Sequence, residues 1–158
     1  MNGKIKLGIV VGVLAMFAVA VCGCTSPTNT DQNINSTGGA SDAAMSVKLV
    51  SQGMQPSLGP YTDAGTGHTF AVYTATVKNV KADDDRSINE FNFKLRDTTG
   101  NVYEVDLGAT SADGAMHAVM STKPGDVVTG TIAFNVPVGT IPKSITYDDG
   151  VDTITTNL

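Results

Sequence analysis

The sequence predicts an all-β domain, a sandwich of about seven short antiparallel strands. Two observations carry this. From Met45 onward, runs of β-branched and aromatic residues alternate in and out and are separated by glycine, proline and Asx turn signals. No segment of that body sustains a helical period.

The elements follow in order. Met45–Ser51 (MSVKLVS) is the first expected strand, and Gly53–Gly67, rich in glycine and proline, reads as a long loop. His68–Val80 alternates, with Phe70, Val72, Thr74 and Thr76 on one side and Ala71, Tyr73, Ala75 and Val77 on the other. Ser87–Arg96 has Ile88, Phe91, Phe93 and Leu95 as its apolar residues, and the phase slip between Ile88 and Phe91 predicts a bulge or a late start. Val102–Leu107 follows the turn Asp97-Thr98-Thr99-Gly100. In Gly108–Thr122, the spacing of Met116, Val119 and Met120 allows one short helical turn, and the glycines exclude a long helix. The turn Lys123-Pro124-Gly125-Asp126 precedes the strand Val127–Val136, which Pro137 ends. Ser144–Asp148 and Val151–Thr155 flank Asp149-Gly150, the signature of a two-residue type I′ hairpin. Seven strands without a sustained helix suit an immunoglobulin-like antiparallel β-sandwich.

Ahead of this body stand two segments of other character. Residues 1–23 carry Lys4 and Lys6, then an uninterrupted run of apolar residues and glycine from Leu7 to Val21. That is the charged and apolar succession of a secretory signal. Both cysteines of the chain, Cys22 and Cys24, stand at its end. Residues 24–44, polar and without periodicity after Cys24, read as a flexible linker that leaves 45–158 as the folded domain.

The segment Val21-Cys22-Gly23-Cys24 resembles the lipobox of bacterial and archaeal lipoproteins, with an aliphatic residue three positions before the modified cysteine and a small one just before it. Gly23 satisfies the second requirement for Cys24, whereas Cys22 would follow the bulky Val21. Cys24 is therefore the expected lipid-attachment residue, and the membrane the first expected partner. Stable anchoring needs more than one acyl chain. The expected location is extracytoplasmic and membrane-anchored, at the cell surface or in the envelope.

Composition narrows the function classes. The chain of 158 residues has a net charge of −5, and beyond the leader eight basic residues face fifteen acidic ones, a balance of −7. That sign repels phosphate backbones, so no nucleic-acid partner is expected. Tryptophan is absent and aromatics make up 6%, which argues against a face built for carbohydrate stacking. With no cysteine after Cys24, thiol catalysis and thiolate metal sites in the body are excluded.

Four motifs in order carry a family resemblance: Thr76-Val77-Lys78-Asn79; Phe93-Lys94-Leu95-Arg96-Asp97 with Gly100 and Tyr103; Lys123-Pro124-Gly125-Asp126; and Gly130–Pro137 (GTIAFNVP). Spread over Val47–Tyr147, they resemble the DUF4352 family of extracytoplasmic, telokin-like immunoglobulin-fold domains, which commonly follow a lipobox and linker. The resemblance implies a fold and a location, and it brings no catalytic motif.

Other candidate chemistry is sparse. Asn35-Ser36-Thr37 is an N-glycosylation sequon, with Asn35 the acceptor. Asp83, Asp84 and Asp85 offer oxygens to calcium but lack the spaced ligands and glycine of a calcium loop, so a solvated turn is expected. Asp148, Asp149 and Asp152 form a second acidic group, explained by turn chemistry and solvent. His68 and His117 have no partners at metal-ligand or triad spacing. Met116 and Met120 are expected to cover the end of the core. No catalytic residue, metal site or cofactor is expected. The reading is a non-enzymatic binding or structural module with an unidentified protein partner, its candidate binding loops Gly53–Gly67 and Gly108–Thr122. The alternative is a small-ligand or metal-binding protein serving a transporter.

Overall fold

The computed structural model describes residues 33–35, 43–81 and 86–158. The leader, Cys22, Cys24 and the acidic run Asp83–Asp85 lie outside the described residues.

Ten strands are described: β1 (Asn33–Asn35), β2 (Met45–Gln55), β3 (His68–Asn79), β4 (Arg86–Ile88), β5 (Phe93–Asp97), β6 (Val102–Glu104), β7 (Val119–Thr122), β8 (Val127–Pro137), β9 (Pro142–Asp148) and β10 (Thr153–Asn157). One sheet has the order β1-β2-β3-β8, the other β10-β9-β5-β6, and β4 pairs with β7 as a separate ribbon. Every strand pair is antiparallel. The expected sandwich is therefore present.

Alternation along the strands explains the core. Ala71, Tyr73, Ala75 and Val77 of β3 face inward with Ile132, Phe134 and Val136 of β8. The opposing sheet supplies Phe93, Leu95, Ile145, Tyr147 and Ile154. The rings of Phe93 and Tyr147 lie 5.2 Å apart in a tilted pair, and each fully buried side chain of this size contributes on the order of 2 kcal/mol.

Several local expectations change, each for an identifiable reason. Ser87–Arg96 is not one strand, because a 3₁₀ turn at Glu90–Asn92 separates β4 from β5. Asn89 Oδ1 accepts from the Phe91 amide and Asn92 Oδ1 from the Asn89 amide, so two asparagines close the turn at the phase slip. The helical turn expected around Met116 is absent. Val119–Thr122 is strand β7, and the 3₁₀ turn lies earlier, at Leu107–Ser111, capped by Asp106. Met116 is a core residue as expected, whereas Met120 is exposed.

The Asp149-Gly150 hairpin also differs. Thr153 pairs with Asp148, which leaves a four-residue loop, and no non-glycine residue described has positive φ, so type I′ geometry is not adopted. The Asp149 carboxylate instead accepts from the amides of Val151 and Asp152 and from Arg86, which opens the turn. Lastly, the polar run expected as linker contains β1, whose Asn33, Ile34 and Asn35 pair with Val50, Leu49 and Lys48. Backbone pairing to the open edge of β2 needs no apolar side chains, so composition gave no sign of it.

Candidate functional site

β2 continues to Gln55, with a bulge between Ser51 and Gly53 that turns Gln52 onto the outer face of the sheet. Residues 56–67 then remain of the expected long loop, and they fold on themselves. Ser57 bridges to Asp63, the Leu58 amide donates to Thr62 O at 2.8 Å, and the Ala64 amide to Pro56 O at 3.0 Å. Leu58 and Ala64 pack on Phe70, Val72 and Ala133 of the outer sheet face. Asn135 Nδ2 donates to Ala64 O, which fixes the base of this small hairpin to β8.

Across from it, the 3₁₀ turn Leu107–Ser111 buries Ala109 in the same small cluster. A Cβ built on Gly108 would lie 3.3 Å from Thr62 Cγ2, so the two segments meet there. Between them runs a half-open groove of about 620 Å³. Its floor is Gln52, Val72, Thr74 and Thr131, and its walls are residues 58–62 and 111–113. Both segments named from sequence as candidate binding loops thus border one recess on the sheet's outer face.

The groove mixes polar and apolar groups in about equal measure and has no basic side chain. Gln52 Nε2 donates to Thr74 Oγ1 at 3.2 Å, and Asp113 on the wall is exposed. Tyr61 stands at the rim with 96% of its surface exposed. A second, smaller recess of about 260 Å³ lies between Met54, Tyr73, Pro142 and Leu158. Burial there pushes the Tyr73 hydroxyl up to about 12.

Two polar clusters serve the fold. Asp97, almost fully buried at the β5–β6 turn, accepts from the amides of Thr99 and Asn101, from the side chains of both, and from the Tyr103 hydroxyl. Burial alone would raise its carboxyl, but these hydrogen bonds outweigh burial and hold it well below the usual carboxylate range. At the other end, Arg86 Nη1 lies 3.1 Å from Asp149 Oδ2 and 3.6 Å from Asp152 Oδ2. The Asp149 side chain has no exposed surface, and Asp152 also accepts from the Ala44 amide at 3.1 Å. Asp149 makes the turn hydrogen bonds expected of it and Asp148 is exposed, but the solvent expected around Asp152 is corrected: β4 brings Arg86 onto the β9–β10 loop, where it pairs with both Asp149 and Asp152.

The remaining sequence candidates stay apart. His68 is exposed at the start of β3 with Nδ1 3.3 Å from Thr66 O, and His117 is exposed beyond the 3₁₀ turn. Among the described residues, no group of three or more His, Cys, Asp or Glu side chains is placed to hold a metal ion. Asn35 lies on β1 opposite Lys48. No helix of the described residues is long and apolar enough to cross a membrane.

The motifs of the family resemblance fall on these structural clusters. Asn79 bonds Thr122, the Gly125 amide donates to Asn79 O, and Lys123 N donates to Asp126 Oδ2. Residues 32–156 match the family profile described as a domain of unknown function, DUF4352. The chain belongs to the DUF4352 family. No curated protein matches it. Among solved structures, this DUF4352 chain is similar to MPT63, a secreted protein from Mycobacterium tuberculosis, with a TM-score of 0.50 and 18% identity over 73% of this chain and 85% of that one. It is also similar to a protein assigned as the lipoprotein ycdA from Bacillus subtilis, with a TM-score of 0.48 and 13% identity over 82% of this chain and 38% of that one. The MPT63 likeness is one of fold. The family match begins at residue 32 and so takes in β1.

Proposed function

We propose that this DUF4352 chain is a prokaryotic lipoprotein: an extracytoplasmic, non-enzymatic immunoglobulin-like module anchored by lipid on Cys24. The observation that carries this reading is the run from the charged leader to Val21-Cys22-Gly23-Cys24, followed by a polar segment and then an all-β domain. A binding or structural role is favoured because the buried charged groups Asp97, Arg86 and Asp149 are bound into the fold and are not presented to a ligand.

Metabolic labelling with a fatty acid tests the anchor. Label should be incorporated by the wild type and by Cys22→Ala and lost in Cys24→Ala, which should also leave the membrane fraction. Label retained by Cys24→Ala would overturn the assignment.

A second reading, a small-ligand-binding protein serving a transporter, is favoured by the groove between residues 58–62 and 111–113. A recess of that size is ordinary for a small-molecule site.

A further inference from the structure

We propose that this groove is a saccharide site, taking a short, neutral, polyhydroxylated ligand against the ring of Tyr61. The proposal rests on reading the chain as a binding module and does not depend on the lipid at Cys24.

The lining decides the ligand class. It offers amide groups from Gln52 and Gln55 and hydroxyls from Thr74, Thr131 and Ser111, and no basic side chain contributes to it. Anionic ligands therefore find no counter-charge. The one carboxylate, Asp113, lies exposed at the wall, where an ion pair with a cation is worth little. Amides and hydroxyls donate and accept at once, which suits a ligand whose neighbouring hydroxyls do the same.

The second observation is Tyr61. It is 96% exposed, yet it is carried on a hairpin closed by the Leu58–Thr62 and Ala64–Pro56 hydrogen bonds. Leu58 and Ala64 hold that hairpin against the sheet through their own apolar cluster. The anchored turn fixes where this ring is attached at the groove's rim, and leaves in water an apolar face with a polar tip for a hydrogen bond. Leu58, Pro60, Val72 and Ala112 make the groove about as apolar as it is polar, which offers the C–H face of a sugar ring a surface beside the hydrogen-bonding groups. The scarcity of aromatics argues against an extended stacking surface, and one ring at a rim does not need such a surface. Hydrogen bonds from the floor provide the rest of the recognition.

The test uses the full chain in detergent, titrated with neutral trisaccharides of glucose, mannose, galactose and N-acetylglucosamine. The side-chain amide resonances of Gln52 and Gln55 report on the floor. Expected is a saturable shift of both with at least one sugar. Tyr61→Ala should weaken it about tenfold, the loss of one aromatic contact, without changing the melting temperature. Spermidine and inorganic phosphate should leave the resonances unmoved. The proposal is overturned if no sugar shifts them, if Tyr61→Ala binds as the wild type does, or if the polyamine or phosphate takes the site instead. Cys24→Ala should bind sugar unchanged, so failure of the anchor and failure of the groove are read separately.

Discussion

The backbone of Met116 lies directly against Gly130: a Cβ built on that glycine would come within 2.3 Å of Met116 Cα and 2.6 Å of its nitrogen. The approach lets Met116 N donate to Thr131 O and Thr131 N to Gly114 O, so residues 114–116 cover the free edge of β8. Gly130→Ala must push this segment away and is expected to cost about 1–3 kcal/mol. Urea denaturation checks it, and an unchanged midpoint would show that the segment yields freely.

Arg86 and Asp149 form a pair with almost no exposed surface on either side chain. Replacing Arg86 by methionine keeps most of the apolar stem and strands a buried carboxylate that has only the loop amides left. The expected loss is about 3 kcal/mol, little affected by salt. A loss that vanishes at high salt would mean that the pair is solvated.

Tyr147 makes the opposite case. Its hydroxyl is buried with no hydrogen-bond partner among the described residues. Burial first, and then the nearby Asp149 carboxylate, push it above the ordinary tyrosine range. Tyr147→Phe removes a desolvated group and loses no contact, so thermal denaturation should show stability unchanged or raised by up to about 1 kcal/mol. A drop in melting temperature would reveal a partner for the hydroxyl.

For Asp97 the expectation is a pH dependence. Its folded carboxyl ionises below the unfolded value, so its contribution is complete above about pH 4. That contribution fades as pH falls from there through the depressed folded value. Asp97→Asn should be less stable than wild type at neutral pH, and the gap should narrow on acidification. Urea midpoints measured for both proteins across that range decide it. A gap constant down to about pH 2 would remove the carboxylate's ionisation from the account.

Legibility from sequence followed the range of the interactions. β3, β5 and β8 could be read because burial on one face of a strand imposes a period of two on neighbouring residues. The fault between Ile88 and Phe91 could be located in the sequence, but its remedy could not. The turn depends on Asn92 also reaching Asp148 O from another strand. The Asp149 loop misled for a related reason, since local turn chemistry competes there with Arg86, 63 residues away. Gly53–Gly67 and Gly108–Thr122 stood out by composition. Gln52, Thr74 and Thr131 did not, because a polar residue on an outward strand position resembles any solvated surface until the loops above it are placed.

The strand β1 bears on leash length. If Cys24 carries the lipid, only eight residues separate it from Asn33, and those nine steps of fully stretched chain reach about 30 Å. Reckoned to Met45 instead, the reach would be about 70 Å. A domain confined so close to the bilayer meets anything fixed within that shell at an effective concentration in the millimolar range. Individually feeble contacts then suffice for occupancy at the surface, and the same contacts would go almost unoccupied once the domain was released into dilute solution.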